Sequence, residues 1–317
     1  MNQSQQKTIK KFTKPAISYV QQLRQLISRG MVVTQPRVAL RALRQFNYYR
    51  LSAYWKPFEI SIKRSEYDGE ASLTHYFQQN ITFEDVLNLY YFDRQLRLLV
   101  MDAIERIEVS VRSRWAYVLA HRHGVHAHLD STIARDFWSW HGNLKKIKDS
   151  LNSSKKMAFV EHFKETYEEP SPPIWVVCEV MSFGLLSKYY DNLKPKETRR
   201  TIAKAYGLDD ECLASWLQHL TEIRNVCAHH SRLWNKQFVK TPQKITGKPS
   251  VLAGQFTNTR TIYNTLMILL YSMDSIEPQH DWRTELLALL NQHPALLPRM
   301  GFPLSWATQP IWSDIHA

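Results

Sequence analysis

Residues of the types that catalyse phosphoryl transfer lie close together in the stretch TEIRNVCAHHSRLWN, residues 221–235. Histidine can take or give a proton near neutral pH, and arginine presents a fork of donors to negatively charged oxygens. RNA carries its own nucleophile, the 2′-hydroxyl, so its cleavage needs only proton transfer and positive charge at the phosphorane. We therefore predict metal-independent RNA cleavage. In this prediction Arg224 stabilises the phosphorane, Asn225 orients the phosphate or the histidine, His229 transfers the proton, and His230 and Arg232 give support.

A helical wheel drawn for residues 209–235 predicts which of these side chains are accessible. Asn225 and His229 are four residues apart, so they lie on one side of the helix, nearly opposite its apolar face. His230 falls close to that apolar face, and Arg224 lies at its border. We predict that His229 is exposed and that His230 is buried and hydrogen-bonded. The apolar face consists of Leu213, Trp216, Leu217, Leu220, Ile223, Cys227 and Trp234.

The longest helical pattern in the chain covers residues 83–124. Thr82 followed by Asp85 resembles an N-terminal capping signal, and Gly124 ends the pattern. Apolar residues recur at helical spacing along one face and predict a core-facing stripe. That stripe contains Leu89, Leu96, Val100, Ala103, Ile107 and Val111.

A charged stripe on the same helix contains Glu105, Glu108 and Arg112. Two interpretations of it are open. These residues could line a groove beside His229 and position Arg224, or they could form a solvated face stabilised by ion pairs three or four residues apart.

The remaining sequence predicts an all-α fold. Helical periodicity recurs at 15–31, 36–46, 170–193, 259–276 and 281–292, with Gly184 interrupting the third of these segments. Residues 60–81 read as a loop or a short hairpin, and the aromatic segment 300–312 as a tail packed over the core. Only 9 glycines are present and none forms a phosphate-binding loop, which argues against nucleotide-binding sheet folds. We predict three regions: a basic tail (1–13), an N-terminal helical region (14–81) and a helical core with a C-terminal extension (82–317).

The formal net charge of +12 favours an RNA partner, although a cationic surface that only aids solubility is the alternative. Arg50 and Lys56 lie in the aromatic stretch NYYRLSAYWKPF, where rings could stack on bases or pack on the core. Arg199 and Arg200 end the basic run KPKETRR. We predict these four residues to bind RNA.

Cysteine usage and apolar runs indicate an intracellular protein. Cys178, Cys212 and Cys227 form no CxxC pair, which predicts buried, reduced thiols, no zinc site and no cofactor. The N-terminus lacks an apolar signal segment, and the run LMILLYSM at 266–273 is too short to span a bilayer. We therefore predict a cytoplasmic, soluble protein without a membrane partner.

The stretch RNVCAHHSRLWN resembles the bacterial abortive-infection (Abi) family of phage-defence proteins. The spacing from Arg224 through Asn225 to His229 resembles the signature of HEPN ribonucleases. The resemblance to the Abi family extends to YYRLSAYWKPF, YYFDRQLRLLVMDAIERIEVSVRSR, PPIWVVCEVMSFGLLSKYY and MGFPLSWATQPIW, and so covers most of the chain.

This resemblance implies a HEPN-like helical bundle and a metal-independent endoribonuclease that functions in phage defence or as a toxin. HEPN sites commonly combine two motifs, and the chain contains a single convincing one, which implies a homodimer. Some relatives are controlled by a small RNA. Two other functions remain open: a non-catalytic protein that carries a structured small RNA, and a protein-interaction scaffold.

Overall fold

The computed structural model describes residues 11, 13–63, 71–154 and 157–313, and within them the fold is all-α apart from one small hairpin, as predicted. The α-helices are α1 (Tyr19–Ser28), α2 (Pro36–Phe46), α3 (Tyr48–Trp55), α4 (Phe83–His123), α5 (Phe137–Ser153), α6 (Ala158–Thr166), α7 (Ile174–Val180), α8 (Phe183–Asp191), α9 (Lys196–Lys204), α10 (Asp210–Ala228), α11 (Tyr263–Ile276) and α12 (Trp282–Gln292). The strands are β1 (Glu59–Lys63) and β2 (Ala71–Phe77). Short 3₁₀ turns link several of these elements.

The chain divides into two compact units, the first ending at Tyr91 and the second beginning at Phe92. In the first unit, Ser18 and Gln21 form a capping box at the start of α1, and Pro36 occupies the first turn of α2. Of the two alternatives for residues 60–81, a loop or a short hairpin, the structure shows the hairpin, because β1 and β2 pair antiparallel with Glu59 opposite Phe77. The predicted basic tail lies almost entirely outside the described residues.

The aromatic stretch in α3 is divided between core and surface. Tyr54 and Trp55 are buried, which supports packing on the core, whereas Tyr49 is 83% exposed. Arg50 and Lys56 are exposed, so both remain accessible to a polyanion.

Helix α4 begins as its capping signal predicts. The Thr82 hydroxyl accepts a hydrogen bond from the Asp85 amide at 3.0 Å, and the Asp85 carboxylate accepts one from the Thr82 amide at 3.1 Å. The helix ends before Gly124, whose φ of +89° is left-handed and costs little without a Cβ. Every residue of the predicted apolar stripe of α4 is buried, which confirms its helical phase.

The second unit is built around α10 and α11. Helix α11 is buried on nearly all its faces, as a central helix of a bundle is. Helix α10 packs closely on α8, where a Cβ built on Gly184 would come within 3.1 Å of the Thr221 methyl group. The sequence placed the break in this region at Gly184; the chain breaks instead at Met181 and Ser182, because the Ser182 side chain caps the start of α8.

The C-terminal tail packs over the core, as predicted. Trp312 is 3% exposed and stacks on Tyr263 of α11, with ring centroids 5.8 Å apart. Phe302 contacts both rings, and Trp306 packs edge-on against Trp312. These contacts bury aromatic surface that would otherwise face water.

All three cysteines are free and buried, as predicted. Burial raises the pKa of Cys178, Cys212 and Cys227 to about 12 in each case, so the thiols stay protonated near neutral pH and are poor nucleophiles. None of the helices in the described part of the chain combines the length and apolarity that crossing a bilayer requires.

His128 is a buried histidine that should make stability depend on pH. Its side chain is inaccessible to solvent, its Nε2 lies 3.0 Å from the Ser171 hydroxyl, and burial lowers its pKa to about 4. The unfolded chain would titrate near 6.5 and bind the proton first, so stability present above about pH 6.5 is lost as the pH falls towards 4. We expect the free energy of unfolding to drop by about 2 kcal/mol between pH 7 and pH 5 through this residue.

Urea denaturation of the parent and of His128→Gln at both pH values tests this expectation. The variant should show a shallower pH dependence, whereas His121→Gln, at an exposed position, should keep the parent's slope. Equal slopes in all three proteins would exclude His128 as the cause.

Candidate active site

Helix α10 ends earlier than the sequence predicts, and this changes the position of His230. The side chain of Asp209 caps the start of the helix, and the last helical residue is Ala228. His230 has a φ of +54° and an exposed side chain. The prediction that His230 is buried against the apolar face is therefore wrong, because the helix ends before His230 and the helical period no longer applies there.

The stop has the geometry of a Schellman motif. The amide of His230 donates to the Cys227 carbonyl at 2.9 Å, and the amide of Ser231 donates to the Val226 carbonyl at 3.0 Å. Glycine is the usual residue at the left-handed position of this motif, and histidine is one of the residues that tolerate it best after glycine. The sequence contains no glycine there, so the usual signal for the end of a helix is missing.

A buried carboxylate on α4 fixes the turn that follows. Asp93 accepts hydrogen bonds from the backbone amides of Leu233 and Trp234, at 2.9 and 2.6 Å, and forms an ion pair with Arg97. Asp93 is inaccessible to solvent and Arg97 is 6% exposed. The pair thus holds residues 229–235 against α4, and the burial of Leu233 and Trp234 completes the attachment.

Asn225 and His229 come together as predicted. His229 is the C-cap residue of α10, and its amide still donates to the Asn225 carbonyl at 3.0 Å, so the two residues remain one helical turn apart. Both are exposed and both line one open groove of about 510 Å³. Gln218, Glu222 and Lys240 are also in its wall, and we call it the His229 groove.

Arg224 lies at the border between the apolar and polar faces of α10, as predicted, and is half-buried. Its Nη1 lies 3.4 Å from the Asn225 amide oxygen. Arg224 also interacts electrostatically with Glu108 of α4. The guanidinium thus lies next to the amide that lines the groove and within the field of the Glu108 charge.

Glu108 and Arg112 form a half-buried ion pair one helical turn apart, as the second interpretation of the charged stripe predicts. Neither they nor Glu105 line the His229 groove, so that part of the first interpretation is not confirmed. Arg112 also donates from Nη2 to the Met181 carbonyl at 2.6 Å. Burial raises the pKa of Glu108 above its usual range; the charges of Arg112 and Arg224 oppose this shift, and that of Glu105 adds to it. Glu105 itself is exposed. Glu108 therefore interacts with the charges of both Arg112 and Arg224, while Glu105 remains at the surface.

Arg232 contacts the turn in which it lies. Its guanidinium carbon is 5.9 Å from the centre of the Trp234 ring, and its Nη2 lies 3.5 Å from the Asn235 carbonyl. Arg299 approaches the same ring at 5.7 Å. These contacts place Arg232 as part of the turn's structure.

Arg199 is not available to RNA, so this prediction is wrong. The basic run that contains it forms α9, and Arg199 is 3% exposed. Its Nε and Nη2 bond to the Asp210 carboxylate at 3.0 and 2.6 Å, and its Nη1 to the Leu193 carbonyl at 2.5 Å. The arginine joins α9 to the start of α10 because a buried charge needs such a partner. The neighbouring Arg200 points outward, with a side chain that is 59% exposed.

Asp93 and two lysines are important residues that the sequence pattern did not single out. A carboxylate next to buried positions of α4 is a detectable signal for Asp93. Lys146 and Lys188 line a neighbouring cavity; they lie in different helices and meet only in the folded chain. Among the described residues, no group of three or more His, Cys, Asp or Glu side chains is arranged to hold a metal ion.

The buried Asp93 makes a strong prediction about stability. Asp93→Ala leaves Arg97 buried without this carboxylate and removes the acceptor of two backbone amides, so we expect a loss of about 3–5 kcal/mol in the free energy of unfolding. Urea denaturation measures the loss. Asp102→Ala is the matched control on the same helix; its ion pair with Arg106 is solvent-exposed, and its removal should cost less than about 1 kcal/mol. Equal losses would contradict the role given to Asp93.

The comparison with known families agrees with the resemblance found in the sequence. The Abi-like protein family matches residues 41–235, more than half of the chain. The match includes α4, α10 and the turn that Asp93 holds. No curated protein and no solved structure matches the chain. The chain belongs to the Abi-like protein family.

Proposed function

We propose that the protein is a metal-independent endoribonuclease of the HEPN type that acts in abortive infection or as the toxin of a toxin–antitoxin pair. Membership in the Abi-like family supports the defence context. The observation that carries the proposal is the arrangement of Asn225 and His229 on the wall of one groove, with the Arg224 guanidinium beside Asn225.

The proposed reaction uses the nucleophile that RNA contains. The 2′-oxygen attacks the adjacent phosphorus as its proton passes to a base, the bond from phosphorus to the 5′-oxygen breaks, and that oxygen takes a proton as it leaves. The products are a 2′,3′-cyclic phosphate and a 5′-hydroxyl. His229 transfers one of these protons. In a homodimer, His229 of a second copy transfers the other.

The remaining site residues act on charge and position. Arg224 neutralises the developing charge on the phosphorane, for which its donors near the groove are suited. Glu108 limits the movement of Arg224 by charge attraction, and Arg112 holds Glu108 in place through their ion pair. Asn225 offers its side-chain amide to a phosphate oxygen, and exposed His230, next in the chain to His229, supports binding.

RNA is the proposed partner, and a small regulatory RNA is a second one. The net charge of +12 supports a polyanionic ligand. Exposed Arg50, Lys56 and Arg200 are proposed to contact RNA phosphates.

Substitution of His229 tests the enzyme proposal directly. His229→Ala removes the proton-transfer group, so we expect at least a 100-fold loss in cleavage rate. Because the side chain is exposed, the melting temperature should change little and RNA binding should be retained. Cleavage of end-labelled RNA by the parent should continue in EDTA and give 2′,3′-cyclic phosphate ends, as read by gel electrophoresis and mass spectrometry.

His121→Ala provides the matched control, since it removes another exposed histidine outside the groove. It should cleave at the parent's rate. Cleavage by His229→Ala at the parent's rate would remove the proposed role of His229. If the parent and both variants bound RNA and none of them cleaved it, the protein would instead be a non-catalytic carrier of RNA.

The charge of the protein predicts how strongly salt affects this binding. Each phosphate neutralised by Lys or Arg releases condensed counterions, so affinity should fall about 10³-fold or more between 50 and 200 mM salt if six or more phosphates are contacted. A titration of fluorescent RNA at several salt concentrations measures the slope. A dissociation constant that does not change with salt would exclude a phosphate-based interface.

A further inference from the structure

A second cavity shares a wall with the His229 groove. It has a volume of about 410 Å³ and is lined by residues of four segments of the chain. Three of them are lysines: Lys146 of α5, Lys188 of α8 and Lys240 of the loop after α10. We call it the lysine pocket.

The three ammonium groups lie together without acidic partners. Among the described residues, none of the three forms an ion pair. The charge of Lys146 lowers the pKa of Lys188, and partial burial and Lys240 lower it further. Cations held this close repel one another, and an anion between them would remove the repulsion.

The backbone of Lys240 is fixed in place. Its carbonyl can only accept, so the His219 Nδ1 that lies 2.7 Å away carries a proton and donates it. Burial lowers the pKa of His219, which favours the neutral ring, and Nε2 then accepts from the Thr265 hydroxyl at 2.8 Å. On the other side, the Lys240 amide donates to the Glu222 carboxylate at 2.9 Å. The fold therefore holds this lysine at the pocket.

A buried hydroxyl provides an independent indication of a ligand. Ser187 lines the pocket and is 2% exposed, yet its Oγ has no hydrogen-bond partner among the described residues. Buried polar groups without partners are rare in native proteins and call for an explanation. A hydroxyl can donate to a phosphate oxygen, and a rotation of the Ser187 side chain towards the pocket would let it do so while that phosphate neutralises the lysines.

Asn225 connects the two cavities, because it lines both the lysine pocket and the His229 groove. Gln218, Thr221 and Lys240 are shared in the same way. A ligand that occupies both cavities must carry one negative group for the lysines and a second group that reaches His229. Polynucleotides have this form, since they carry a negative charge at every linkage.

We infer that the lysine pocket binds a backbone phosphate of the RNA, at a linkage next to the one that is cleaved at His229. The binding of a phosphate in the pocket is inferred from Lys146, Lys188, Lys240 and Ser187. Its place next to the cleaved linkage rests on the proposed ribonuclease function.

A scan of neutral linkages tests the inference without any turnover. The probe is an RNA whose 2′-hydroxyls are all methylated, so that it cannot be cleaved, with a single methylphosphonate moved from linkage to linkage. For the parent protein, one linkage should stand out, with about tenfold weaker binding when its charge is removed. The double variant Lys146→Gln/Lys188→Gln should bind the unmodified probe about tenfold more weakly than the parent does. Neutralising the same linkage should then weaken its binding no more than neutralising any other linkage.

Lys145→Gln is the matched control, because Lys145 is exposed on the same helix and outside the pocket. It should keep both the affinity and the linkage-specific penalty. Equal weakening by Lys145→Gln would overturn the inference and reduce the pocket to general surface charge. A penalty that persists in the double variant would overturn it as well.

Protection from acetylation separates an RNA phosphate from a free one. The probe RNA should protect Lys146 and Lys188 of the parent in mass spectrometry. Protection by inorganic phosphate but not by RNA would overturn the inference in favour of a small-anion site. If the ribonuclease proposal is wrong, the cleavage assay of His229→Ala will show it, whereas the binding scan uses RNA that cannot be cleaved and is unaffected. A failure of the proposed function and a failure of the lysine pocket can therefore be told apart.

Discussion

The site depends on one buried carboxylate more than on any residue of the motif itself. Asp93 accepts hydrogen bonds from the backbone amides of Leu233 and Trp234, and its ion pair with Arg97 balances its charge within the core. Turns that leave a helix usually run over the surface, where water satisfies their backbone groups. Here α4 satisfies them, so the segment that follows His229 is anchored at a fixed distance from the end of α10. The path of the chain after His229 follows from that anchor, while His229 itself is held by the last turn of α10.

The elements of this protein could be predicted from the sequence wherever local rules control them. The capping pair Thr82 and Asp85, the apolar stripe of α4 and Pro36 at the start of α2 each act over a few residues, and the structure agrees with all of them. The separation of Asn225 and His229 from the apolar face is also a property of one helix.

The remaining features could not be predicted because they depend on contacts between distant residues. The end of α10 lacks the glycine that usually marks it, and Asp93, which holds the turn, is far away in the chain. As a result, His230 was assigned to the wrong environment. The environment of Arg199 could not be predicted for the same reason. A basic run in the sequence does not show whether an arginine is exposed to water or, like Arg199, paired with the buried Asp210. The cluster of Lys146 and Lys188 requires two helices to meet.

The three thiols have a further consequence for how motions of this protein can be observed. Two of them lie at opposite ends of the helix that carries the site, Cys212 in its first turn and Cys227 in its last. Because both are buried and protonated, an alkylating reagent can reach them only when the surrounding structure opens. Their separate modification rates therefore report the opening kinetics at each end of α10, as two native reporters that need no engineered label.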